Sequence, residues 1–393
     1  MTIRTQMLLV CPLSAMALLA QPGLQQTISH EGVNWIRTTT GNFPCAIQGR
    51  AKLSVAGDLT VRGQARSDCY FRIKQRVVAG NEDRARQLMH DFRIQAGSQG
   101  DASFFSVIPS TFGFASLEME VAVPKGMREV ISQTQVGSMK VFDLEGAAVV
   151  ESGAGNIEVD RINGPTACRT EGGNIQVGRV NSTLRAYSGG GQIRIVSAGG
   201  ETWCDTAGGE IVVNEVKGPL HATNQGGNIE IDRADGLVRA FSLLGLIDIQ
   251  RAGGLVTAET RGGSIQIGAS RGARCEAGNG TIRVKNSDGP IRLNTLAGNI
   301  LAELIAGASL QESALSTLSG DITLLIPSNL AVTVQARNET RKAKGRIISD
   351  FSEIRTQPFE PGVEPRIASG ALNGGGPVVR LVVSGGNISL TRR

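Results

Sequence analysis

The chain has 393 residues, of which 51 are glycine and only 4% are aromatic, with a formal net charge of +5 from 40 basic and 35 acidic side chains. So weak a charge, alternating in sign and without a basic run, argues against nucleic acid as a partner. Glycine at this level would point to disorder if it were scattered; here it keeps register, so it marks turns.

In chain order, residues 1–20 read as a signal peptide. Arg4 supplies the positive start, MLLVCPLSAMALLA at 7–20 the apolar run, and cleavage is expected near Ala20. The run falls short of the roughly 20 apolar residues of a spanning helix, and no later segment could cross a membrane. Lipidation at Cys11 is disfavoured by the short apolar run before it. Export implies an oxidising compartment, so Cys45 and Cys69, both in the N-terminal unit, are expected to form a disulfide.

Residues 21–115 lack the later periodicity and predict a small α+β unit. AKLSVAGDLTVRGQA at 51–65 alternates around Gly57-Asp58 as a hairpin or two successive strands, 71–78 is a further strand, Asn81-Glu82-Asp83 opens a helix over about 82–91, and 92–96 returns as a strand. Such a unit could cover the open end of a repeat stack. SLEMEVAVP at 116–124 alternates strictly and predicts the first strand of that stack.

From Gly137 a glycine recurs every 18 residues, at 155, 173, 191, 209, 227, 245 and 263, then at 280 and 298. Each opens a phrase such as GNIEV or GNIQV. Counting from the glycine as slot 0, slots 2 and 4 are Ile or Val, slot 7 is a small apolar residue, and slot 9 is commonly a second glycine. Slot 11 is apolar, slot 13 is Ala or Cys, and slot 15 is Ser, Thr or Asn. Period-2 alternation puts these slots on one face of a strand, and the fixed repeat indicates a solenoid. The prediction is an all-β, single-stranded parallel β-helix over 116–302, about 18 residues per turn and right-handed. Residues 303–393, with a strand over 345–351 and a closing GGNI phrase, form its C-terminal end and cap. Cys168 and Cys204 fall in slot 13, and Cys275 lies a further four rungs on. The first two are two rungs apart, about 9–10 Å at the usual strand spacing, beyond the roughly 6.8 Å limit for a disulfide. They are expected to be buried free thiols.

The GGNI phrases, SLEMEVAVPKG at 116–126, GDITLLIP at 320–327 and GGGPVVRLVVSGGNISL resemble the bacterial putative-adhesin family of exported β-strand-repeat proteins of unknown function. The resemblance implies an exported solenoid at the periplasm, the outer-membrane surface or outside the cell, with no catalytic residues, cofactor or metal to carry over. The first expectation for function is non-enzymatic, adhesin-like binding or scaffolding at the cell envelope, with an envelope polysaccharide or a surface protein as partner.

Outward slots 12 and 14 hold Arg185, Tyr187, Trp203, Asp205, His221, Arg239 and Phe241, a two-column patch that suits sugar rings and their hydroxyls and reads as a glycan or peptide contact face. Cross-strand packing alone, or coverage by a terminal unit, accounts for the same residues without a ligand. A parallel β-helix carbohydrate-active enzyme is the alternative. Asp205 beside His221 is its best pair, and Glu259 stands about 14 Å from Asp205 by rung spacing, outside glycosidase geometry. A purely structural or polymerising rod is the other alternative. The slot-6 arginines Arg161, Arg179, Arg233 and Arg251 are expected to form a solvated edge that discourages sheet pairing, with contact to an anionic polymer as the alternative. The slot-1 asparagines are expected to bond along the rod.

Overall fold

Each turn contributes two short strands, because the apolar alternation is interrupted twice by glycine. In one turn these are Ile175–Val180 and Leu184–Ser188. The first kind of strand stacks into one parallel sheet (sheet 1) and the second into another (sheet 2), in strict register: Ile157, Ile175 and Ile193 lie in one column, and Cys168, Ala186 and Cys204 in another. The computed structural model describes residues 24–89, 92–109, 116–305, 310–339, 345–357 and 366–393. The expected signal peptide lies outside these. The solenoid has about 11 turns of about 18 residues. The inward faces of the two sheets form one buried cluster running from Phe43 to Leu390. Broad β-branched columns in sheet 1 meet small slot-13 residues in sheet 2, so two close-packed sheets fit a narrow interior.

The slot-0 glycine is required by crowding between rungs. A Cβ on Gly173 would sit 2.1 Å from the carbonyl oxygen of Gly155 and 2.8 Å from the nitrogen of Asn156. The inward polar residue at slot 15 satisfies the backbone at the same corner. The Thr170 hydroxyl donates to the Gly155 carbonyl at 2.9 Å and accepts from the Gly173 N–H at 3.2 Å. Ser188 repeats this with Gly173 and Gly191, and Asn224 with Gly209 and Gly227. These side chains are almost fully buried, and pairing offsets the cost of burying them. Slot-1 asparagines bond along the rod through the backbone rather than side chain to side chain. Asn156 Oδ1 accepts from the Asn174 N–H at 2.8 Å, and Asn174 Oδ1 from the Gln192 N–H at 2.8 Å.

The ends of the stack are interleaved, which differs from the sequence expectation. Ser116–Pro124 does not lie directly against Met139–Leu144. Asp58–Gln64 stands between them, with Leu59 opposite both Met119 and Met139. In sheet 2, Arg50–Val55 likewise stands between Ala102–Pro109 and Glu129–Thr134. Two strands of the expected N-terminal unit are therefore a rung of the solenoid. The opposite end mirrors this: Val378–Val383 and Ile388–Arg392 insert between the rung at 313–326 and the strands Val332–Asn338 and Ile347–Ser349. Antiparallel strands close both ends. Asn34–Phe43 pairs with Cys69–Val78, which pairs with Ser116–Pro124, and Arg366–Leu372 pairs with Val332–Asn338. The reversal of direction ends the parallel template on which another rung could grow.

The helix spans Glu82–Leu88 and is capped by Asn81, whose Oδ1 accepts from the Arg84 N–H at 2.8 Å. Cys45 and Cys69 are disulfide-bonded, with Cα atoms 5.8 Å apart. Cys168, Cys204 and Cys275 are free and buried. Among the described residues, no helix is long and apolar enough to cross a membrane.

Candidate functional site

Parallel register decides which outward side chains of sheet 2 can meet. Arg185, Trp203, His221 and Arg239 occupy consecutive rungs of one column, and Tyr187, Asp205, Thr223 and Phe241 of the next. Trp203 and His221 stack, with ring centroids 3.9 Å apart and planes 8° from parallel. Such a pair is worth about 0.5–1.5 kcal/mol beyond its buried area. The His221 ring is further held by Glu201, whose Oε1 lies 3.4 Å from Nε2. Trp203 remains 46% exposed even so, a large apolar surface left to solvent.

On the side of Trp203 away from His221 the column falls from Arg185 to Ala167 and Val149. These smaller side chains leave an open hollow of about 580 Å³ bordered by Trp203, Tyr187, Asp205 and Arg169. The Arg169 guanidinium lies over the Tyr187 ring at 4.3 Å and bonds Glu171 at 2.8 Å. Both contacts fix it as a rim of the hollow. Arg185, the Tyr187 hydroxyl, Asp205 and Thr223 make no side-chain hydrogen bond or ion pair among the described residues. Burial holds the Asp205 carboxyl above the usual carboxylate range. Beneath this floor the Cys168 and Cys204 thiols are pushed up to about 12 by burial, and at that value neither offers a thiolate at neutral pH.

Of the residues singled out by the slot pattern, Arg185, Tyr187, Trp203, Asp205 and His221 border this hollow. Arg239 and Phe241 stand on the far side of His221 and Thr223 and do not line it. The carboxylate that reaches His221 is Glu201, while Asp205 sits opposite Tyr187 and Thr223. Arg169 and Glu151 extend the slot-14 column by two rungs and were legible there. Glu201 lies in a turn slot, where alternation does not fix direction. On sheet 1, two of the slot-6 arginines are tied locally: Arg161 bonds Asp143 at 2.6 Å, and Arg233 bonds Asp235 at 2.8 Å. Among the described residues, no three His, Cys, Asp or Glu side chains are grouped to hold a metal ion.

No family model and no curated protein matches the chain. Among solved structures it is similar to a putative cell adhesion protein from Clostridium sporogenes, with 8% identity, 95% of this chain and 100% of that one covered, and a TM-score of 0.16. It is also similar to a putative adhesin from Bacteroides fragilis, with 10% identity, coverage of 90% and 96%, and a TM-score of 0.21. A third likeness is to a putative lipid binding protein from Parabacteroides distasonis, with 11% identity, coverage of 73% and 96%, and a TM-score of 0.22. Likeness at such TM-scores carries no functional weight.

Proposed function

We propose that the chain is an exported, non-enzymatic β-solenoid that binds glycan at the cell envelope through the hollow beside Trp203. The observation that carries this reading is the indole itself. It is 46% exposed, backed on one face by His221 at 3.9 Å, and borders a hollow ringed by unpartnered polar groups. The apolar C–H face of a pyranose suits an indole held flat, while Arg185, Asp205 and the Tyr187 hydroxyl suit its hydroxyls, an apolar wall with a few convergent polar groups. The cross-rung neighbours of Asp205 are Tyr187 and Thr223. A binding role needs no second carboxylate beside it, whereas hydrolysis does. The Cys45–Cys69 disulfide and the apolar N-terminal stretch support a place outside the cytoplasm.

The test is a glycan array followed by calorimetry on the glycans retained. Trp203→Ala is expected to weaken binding at least tenfold and Arg239→Ala to leave it unchanged. Binding that survives in Trp203→Ala overturns the reading, and release of reducing ends from a retained glycan replaces it with an enzyme.

A further inference from the structure

A second hollow lies on the same sheet, nearer the N-terminal end. It measures about 640 Å³ and shares Glu151 and Arg169 with the hollow beside Trp203. Small residues make it too: Ser54, Ala56, Ser106 and Gly153 stand where long side chains would fill the space. The register places Ser106 opposite Ser54, Ser54 opposite Gln133, and Gln133 opposite Glu151. From there the column continues through Arg169, Tyr187 and Asp205 to Thr223. That is seven rung steps, or about 34 Å at the usual strand spacing. Of the interleaved rung, Ser54, Val55 and Ala56 line the upper hollow.

We infer that the two hollows are one track for a linear glycan lying along the rod axis, so that the ligand is an extended chain of sugars rather than a terminal sugar. This rests on the glycan reading of the Trp203 hollow. Three observations carry the extension. The hollows abut at Glu151 and Arg169, and both of these side chains are anchored by other partners. Glu151 accepts from Gln133 Nε2 at 2.7 Å, and Arg169 is drawn to Glu171 and Tyr187. The upper hollow presents the Ser54 and Ser106 hydroxyls and the Gln135 amide, none with a side-chain hydrogen bond among the described residues. Finally, the N–H and C=O groups of this face are used in the sheet ladder, so a peptide strand could not add to it by backbone pairing. A hydroxyl-rich chain can be read by side chains alone.

The experiment measures affinity of the full protein against two ladders of defined oligosaccharides, neutral β-linked N-acetylglucosamine oligomers and oligogalacturonates, from two to eight units. Wild type is expected to gain at least tenfold in affinity between the shortest and longest members of one ladder. Ser54→Arg, which fills the upper hollow far from Trp203, is expected to abolish that gain while leaving the disaccharide affinity unchanged. Gln135→Ala is expected to reduce the gain and serves if Ser54→Arg fails to fold. Affinity that does not rise with length, or a rise that survives both substitutions, overturns the track and leaves the Trp203 site standing. Failure of both ladders at every length overturns both readings.

Discussion

Replacing Gly173 by alanine, with Gly172→Ala as its neighbour control, tests what sets the spacing of the rungs. At Gly173 a methyl group would meet three backbone atoms at 2.1, 2.4 and 2.8 Å, the carbonyl oxygen and carbon of Gly155 and the nitrogen of Asn156. These atoms belong to the adjoining rung and cannot swing away as a side-chain tip would. Relief requires the corner to part by about 1 Å, which lengthens the bonds from Thr170 to Gly155 and Gly173, now 2.9 and 3.2 Å. Overpacking of this kind costs about 1–3 kcal/mol, and weakening two buried hydrogen bonds adds about 1 kcal/mol or more. The expected loss is therefore about 2–4 kcal/mol. At Gly172 nothing lies within 4 Å of the added methyl, and alanine there is expected to change stability by no more than about 1 kcal/mol in either direction. Guanidinium denaturation followed by circular dichroism reads both, using the midpoint because stacked repeats need not unfold in one step. Equal midpoints for the two variants would refute the claim that slot-0 glycines are fixed by contact between rungs.

Three other outcomes follow from the same geometry. Thr170→Val keeps the shape but removes the staple at a fully buried corner. It is expected to cost about 1–3 kcal/mol in the same denaturation assay, and an unchanged midpoint would contradict the staple. Cys168, Cys204 and Cys275 are buried, with the first two thiols pushed up to about 12 and the third also raised, all by burial. Peptide mapping is expected to find them unlabelled by iodoacetamide in the native protein at pH 8 and fully labelled in guanidinium, whereas native labelling would contradict their inward placement. On sheet 1, burial and then the charges of Glu210 and Asp248 hold Glu230 above its usual range. A raised carboxylate pKa means the folded chain binds the proton more tightly than the unfolded one, so the penalty is absent below the unfolded value of about 4.3 and complete above the raised one. Glu230→Gln is expected to stabilise at pH 7, by no more than about 0.5 kcal/mol for so exposed a group, and to make no difference at pH 3.5. Thermal melts at both pH values check the sign.

Most of the solenoid was legible because two independent signals agree. Alternation sets inside from outside, as at Ile175, Val177 and Val180, and the glycine beat sets which residues stack. The interleaving of the ends was not legible. An inward-alternating segment such as AKLSVAGDLTV announces that it is a rung, but every rung has that pattern, so its place in the stack is decided by packing against Met119 and Met139. At the candidate site the columns followed from register, which brought Trp203 and His221 into stacking. Pairing across columns did not follow, because side-chain direction at a turn slot is not fixed by alternation. Hence Glu201, and not Asp205, approaches His221. The hollow itself was written in the small residues Ala167 and Val149, a signal that is visible only once neighbouring rungs are read together.

Tryptophan fluorescence tests the binding face most directly, since the chain has only two indoles. Trp35 donates to the Ala79 carbonyl at 3.1 Å, far in the sequence from the hollow, so Trp35→Phe leaves Trp203 as the sole reporter. Titrating that variant with the oligosaccharide ladders is expected to give a saturable blue shift as sugar covers the indole. An emission spectrum that stays fixed up to millimolar concentrations of every oligosaccharide would contradict a glycan-binding role for this face.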